Sequence, residues 1–168
     1  ASDELTNDRG VVLEAAKQNV DALEYASGEL KADRGVVLEA VKRSGGALDY
    51  ASDGLKNDRG VVLAAVTQRG IFLRYAPAEL KADRVIVLAA VKQNGYALQF
   101  ADKSIKADRE VVLAAIKQNS IALQYAHKNL KSDREFVLTA VNVDDSLLVI
   151  DWVAKITKEE NQQLKPLK

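Results

Sequence analysis

An Asp-Arg pair recurs every 25 residues, six times and without a slip. It falls at Asp8-Arg9, Asp33-Arg34, Asp58-Arg59, Asp83-Arg84, Asp108-Arg109 and Asp133-Arg134. A longer stretch recurs with it, read most fully as Asp108-Arg109-Glu110-Val111-Val112-Leu113-Ala114-Ala115-Ile116-Lys117-Gln118-Asn119. A fixed period of this length marks an array of small stacked units. No single unit buries its own apolar surface, but six in a row share one continuous core.

With the Asp counted as position 0, apolar residues recur at positions 3, 4, 5, 7 and 8. In the fifth repeat these are Val111, Val112, Leu113, Ala115 and Ile116. At about 100° per residue they cover roughly 200° of a helix, so this helix is buried on more than one side. The Asp is a good N-cap for it. Asn19, Asn94 and Asn119 at position 11, then Gly45, Gly70 and Gly95 at position 12, read as helix stop signals. A second apolar group at positions 14, 15, 17 and 18, such as Ala97, Leu98, Phe100 and Ala101, predicts a short second helix. A turn then returns the chain through a Leu or Ile at position 22, and Pro77 suits that turn.

The sixth repeat breaks the pattern at Asp144-Asp145-Ser146. It then runs on from Leu147 to Ile156, past Trp152, the single Trp. The expected architecture is an all-α solenoid of six repeats over residues 1–145, with one longer and one short helix per repeat. A capping helix over 146–157 and a polar, Lys-rich tail over 158–168 complete it.

The ordered recurrence of Asp-Arg, Val-Leu-x-Ala, Gln-Asn and Ala-Leu-x-Tyr-Ala resembles the repeats of the domain-of-unknown-function family 4116, over about residues 1–150. The resemblance implies a multi-repeat helical protein and brings no mechanism with it. The spacing is also similar to leucine-rich variant repeats. Some of those carry a Cys cluster, and this chain has no Cys, so no iron–sulfur site is carried over.

Formal net charge is zero, so no bulk field draws in nucleic acid or an anionic surface. No apolar run reaches the ~20 residues of a membrane span. The chain opens on Ala1 rather than Met, with no signal or transit segment. The matching expectation is a processed organellar or exported chain.

Candidate functional residues fall into three groups. Arg9, Arg34, Arg59, Arg84, Arg109 and Arg134 sit at position 1, inside the apolar arc of the helical wheel. A charge there must be paired. The expectation is a structural ladder in which each guanidinium bonds Asp8, Asp33, Asp58, Asp83, Asp108 or Asp133, or a helix-end carbonyl, of a neighbouring repeat. The rival reading is a row of anion sites.

A Lys stripe comes second, with Lys31, Lys56, Lys81, Lys106 and Lys131 at position 23 and Lys17, Lys42, Lys92 and Lys117 at position 9. Such a row suits phosphates. Abundant acidic neighbours and few interleaved aromatics argue for a solvated rim instead.

The third group is where the repeats differ. Position 6 changes from Glu14 and Glu39 to Ala64, Ala89 and Ala114. Position 13 changes from Asp21 and Gly46 to Ile71, Tyr96 and Ile121. Position 2 changes from Gly60 to Val85. Position 6 lies on the polar arc, so the middle repeats remove acid and add apolar groups on an open face. That pattern marks a protein interface. The competing expectation is that position 13 tucks under the next repeat's turn.

His127 reads as a surface turn residue, and Asp144 and Asp145 as helix caps rather than cation ligands. No P-loop, dinucleotide, zinc or nucleophile motif is present. The sequence therefore points to a non-enzymatic scaffold or accessory subunit with a protein partner and no cofactor. The alternatives are a polyanion-binding repeat protein and an engineered array.

Overall fold

The computed structural model describes residues 3–163, with side chains over 4–157. Each repeat begins with a ten-residue α-helix: Arg9–Gln18, Arg34–Arg43, Arg59–Gln68, Arg84–Gln93, Arg109–Gln118 and Arg134–Val143. The Asp before each is its N-cap. Asp58, for instance, accepts from the Val61 N–H at 2.9 Å. The helix stops where one residue turns extended, at Asn19, Ser44, Arg69, Asn94, Asn119 and Asp144.

The stop works differently from the sequence expectation. No described residue has positive φ. Asn19, Asn94 and Asn119 instead cap the next helix, accepting from the N–H two residues on at 3.0 Å. The glycines at position 12 give room to the neighbouring repeat. A Cβ on Gly45 would lie 2.7 Å from the Ala65 carbonyl oxygen, and one on Gly95 would lie 2.5 Å from that of Ala115. Gly95 N–H also donates to Gln118 Oε1 at 2.6 Å.

The second helix is a 3-10 helix of six residues: Val20–Tyr25, Gly45–Tyr50, Gly70–Tyr75, Gly95–Phe100 and Ser120–Tyr125. Three residues per turn places position 14 over 17 and 15 over 18, which is the spacing of the apolar group. The return turn is itself helical in most repeats, as Gly28–Ala32, Asp53–Lys56, Ala78–Lys81 and Lys128–Ser132, with a 3-10 turn Ile105–Ala107 in repeat four. Each unit thus has three short helical pieces. Leu30, Leu55, Ile105 and Leu130 of the third piece are buried.

Long helices pack on long helices and 3-10 helices on 3-10 helices from one repeat to the next. The core runs unbroken between the two stacks, through residues such as Val37, Leu48, Val62, Leu73, Val87, Leu98, Val112 and Leu123. The repeats have a direction. Positions 3 and 17 are exposed only in repeat one, at Val11 and Tyr25, so they face the repeat before. Position 15 is exposed only at Leu148 of repeat six, and position 8 loses full burial only at Val141, so they face the repeat after. A backbone rung also joins successive units, because the position-19 N–H donates to the position-23 carbonyl of the unit before. It runs from Ser27 to Thr6, Ser52 to Lys31 and Asp102 to Lys81 at 2.9 Å, and from His127 to Lys106 at 2.8 Å. Pro77 has no N–H, so the rung is missing between repeats two and three, and among the described residues no such bond joins Trp152 to Lys131 between repeats five and six.

The C-terminal boundaries move from those expected. The sixth repeat keeps its 3-10 helix, Asp145–Val149, because Asp144 caps it by accepting from the Ser146 N–H at 3.0 Å. Ile150 is extended, and a separate helix follows over Asp151–Gln163. The cap is therefore not one helix over 146–157, and helix continues into the segment 158–168 expected to be tail. Residues 164–168 of that segment lie outside the described residues. Val153 is fully buried, and Trp152 and Ile156 pack against the core. Among the described residues no helix is long and apolar enough to cross a membrane.

Candidate protein-docking surfaces

The Arg–Asp ladder joins successive helix N-termini from repeat two to repeat six. Arg34 Nε donates to Asp58 Oδ2 at 2.8 Å, Arg59 Nε to Asp83 Oδ2 at 2.7 Å, and Arg84 Nε to Asp108 Oδ2 at 2.8 Å. Arg109 pairs with Asp133, and Arg84 also reaches Glu110. The Arg side chains are 44–56% exposed, so they do not lie inside the apolar arc as the wheel suggested. Position 1 is the first helical residue, and its side chain runs along the row of helix starts rather than inward. Among the described residues Asp8, Arg9, Asp33 and Arg134 form no ladder ion pair, which leaves four closed rungs. Arg134 has Lys158, not an Asp, 24 residues on.

The pairs shift the carboxylates. Arg34's hydrogen bond and the Val61 N–H hold Asp58 below the usual aspartate range, and Arg59 does the same for Asp83. The arginines in turn shift upward through the same bonds.

The position-23 lysines are half-buried. Lys31, Lys106 and Lys131 donate to the carbonyls of Glu24, Gln99 and Gln124 at 2.6, 2.7 and 3.1 Å. Each ammonium thus closes the end of a 3-10 helix, where free carbonyls and the helix dipole favour a cation. Burial pushes Lys106 down. These three ammoniums already have partners, which leaves them poorly placed to track phosphates.

The seven residues that break repeat symmetry are divided between the two stacks. Ala64, Ala89, Ala114 and Val85 lie on the long helices. Ile71, Tyr96 and Ile121 lie on the 3-10 helices. Ala64, Ala89 and Ala114 are half-buried rather than exposed. A helical wheel treats the helix as isolated, whereas longer side chains from the same and adjacent repeats, such as Lys92, Lys117 and Gln118 around Ala114, flank position 6 here. Ile71 and Tyr96 are also half-buried. Only Val85 and Ile121 of the seven are well exposed.

Position 13 meets position 17 of the next repeat. Tyr50 O–H donates to Asp21 Oδ1 at 2.7 Å, and the Tyr96 and Tyr125 rings meet edge-on with centroids 6.3 Å apart. At the last junction Ile121 has Ile150 in that place instead of a ring. The smaller side chain leaves a groove of about 310 Å³, lined by Ile121, Leu123, Gln124, Lys131, Ile150 and Trp152. Sequence reasoning singled out Ile121 but missed Ile150 and Trp152 as its neighbours. The available signal was the loss of the aromatic at position 17.

His127 caps a short helix, its Nδ1 accepting from the Asn129 N–H at 3.3 Å. Asp144 is held below the usual range by the Ser146 hydroxyl and N–H. Among the described residues no three His, Cys, Asp or Glu side chains gather as a metal site.

The stacked junctions define an all-α repeat solenoid. The chain belongs to the family described as domain of unknown function DUF4116, whose model matches residues 1–31, 33–81, 61–106 and 108–149. No curated protein and no solved structure matches it.

Proposed function

We propose that the chain is a non-enzymatic scaffold or accessory subunit that docks a protein partner in the groove beside Ile121 and Trp152. The carrying observation is that groove: apolar walls from Ile121, Leu123, Ile150 and Trp152 with Gln124 and Lys131 at its rim. Isolated exposed apolar residues need no explanation, but a concave apolar patch with a polar rim does. A partner segment places one aliphatic or aromatic side chain between Ile121 and Trp152. Its backbone meets the amide of Gln124 at the edge.

Affinity capture from the native source tests this reading, with the unmodified chain and with Ile121→Asp. Ile121 is 49% exposed, so the variant folds. The expected result is loss of the captured partner with Ile121→Asp and retention with Val85→Asp, which lies on the other stack. Identical capture by all three chains sinks the reading.

A further inference from the structure

The two ends of the stack are built differently. At the C-terminal end the helix Asp151–Gln163 covers the last repeat, with Val153 fully buried. At the N-terminal end the backward-facing positions of repeat one stand open. Val11 at position 3 is 43% exposed, while Val36, Val61, Ile86, Val111 and Phe136 at the same position are 0% exposed. Tyr25 at position 17 is 70% exposed and Leu5 at position 22 is 50% exposed, against buried or half-buried equivalents in every later repeat. With Ala15 and Ala22 they line a shallow apolar depression of about 260 Å³.

We infer that this face takes another helical repeat of the same 25-residue class, stacked as each repeat in the chain is stacked on the one before it. Continuity of the stack, an established interface, points to this occupant, and the ladder accompanies it. At five junctions the same positions are covered by the preceding repeat, as the helix Arg34–Arg43 and the 3-10 helix Gly45–Tyr50, which carry the buried Val41 and Leu48, pack on the long helix of repeat three. In repeats three to six the Asp Oδ2 accepts from the Arg 24 residues earlier, while Oδ1 caps the helix. Asp8 Oδ1 caps its helix at 2.9 Å from the Val11 N–H, and its carboxylate has no Arg; Asp33, which follows repeat one, also lacks the pair, so the Arg marks four of the five junctions. The occupant thus brings an Arg at its position 1 and aliphatic residues at 8 and 15. An apolar face of this shape with a carboxylate at its edge matches neither a polyanion nor a lipid surface. This surface is separate from the Ile121–Trp152 groove.

The test is to supply the repeat. A copy of residues 83–100 placed ahead of Ala1 makes, with residues 1–7, one more 25-residue unit in register. In the copy Arg84 falls 24 residues before Asp8, and Val91 and Leu98 fall at positions 8 and 15. Two readouts follow the face: the urea midpoint, and nitration of Tyr25 mapped by mass spectrometry. The expected result is a higher midpoint, a denaturant slope steeper by roughly a tenth in line with the added surface, and several-fold slower nitration of Tyr25. Val91→Asp with Leu98→Asp in the copy abolishes all three, and Arg84→Ala in the copy reduces the gain in midpoint. An extended chain with unchanged midpoint and unchanged Tyr25 nitration overturns the inference. So does an unextended chain that is already a dimer at micromolar concentration with Tyr25 shielded, because the face then belongs to a second copy.

Discussion

Arg34 and Asp58 tie two repeats together through a carboxylate that is also a helix cap: Oδ2 accepts from Arg34 Nε at 2.8 Å, and Oδ1 accepts from Val61 N–H at 2.9 Å. The two partners are therefore not equivalent under mutation. Asp58→Ala removes both the cap and the ion pair, and loss of the cap alone costs about 1 kcal/mol. Asp58→Asn keeps a capping oxygen and loses the charge. Arg34→Ala removes only an exposed pair, which is worth less. Urea midpoints should fall in the order Arg34→Ala least and Asp58→Ala most, with Asp58→Asn beside Arg34→Ala. A loss for Arg34→Ala equal to that for Asp58→Ala would put the energy in the ion pair instead.

The same carboxylates make the stack acid-sensitive. Asp58 and Asp83 sit below the ordinary aspartate value in the folded chain, each held first by its Arg. A depressed folded value contributes stability that is complete above the unfolded value of about 3.9 and is lost as pH falls through the lower folded value. The urea midpoint should stay nearly level from pH 7 to about 5 and drop below about 4. Asp58→Asn with Asp83→Asn should make that drop shallower.

Gly95→Ala should be destabilising by about 1–3 kcal/mol through overpacking. The new methyl would stand 2.5 Å from the Ala115 carbonyl oxygen, and a backbone carbonyl in a packed helix has nowhere to move. Gly28→Ala is the control. A Cβ at Gly28 meets nothing within 4 Å, and Ala is the better helix former. Thermal unfolding of the two variants should shift in opposite directions.

Tyr50 is pushed up to about 12, first by the hydrogen bond its hydroxyl donates to Asp21 and then by burial. Because the folded value is raised, this contact stabilises the chain below the ordinary tyrosine value of about 10 and is lost as pH rises through the folded value. Absorbance titration of the phenols should show a late step that Asp21→Asn moves back toward 10. An unchanged titration in Asp21→Asn would mean that the bond does not form in solution.

The repeat, the Asp caps and the Arg–Asp pairing were legible in the sequence because each is local or repeats at fixed spacing. The 3-10 form of the second helix was harder to read. Over six residues, Ala47, Leu48 and Tyr50 fit either helix period. Gly45, Gly70 and Gly95 misled because a glycine after a helix ordinarily marks a left-handed residue, and here it marks contact with a carbonyl 20 residues later. Ala64, Ala89 and Ala114 misled because a wheel has no neighbours. The groove needed knowledge that position 13 meets position 17 of the following repeat, 29 residues away in Asp21 and Tyr50.

Pro77 gives the array a seam. In a quasi-one-dimensional stack each unit holds only its neighbours, so a bond lost at one junction is not made up elsewhere. The spine of backbone rungs acts as a zipper, and Pro77 makes it skip a tooth between repeats two and three, as the spine also does between five and six. The gap at Pro77 lies between a two-repeat piece carrying Tyr25 and a four-repeat piece carrying Ile121 and Trp152. The two apolar surfaces thus sit on opposite sides of that gap, which Arg34 and Asp58 still bridge.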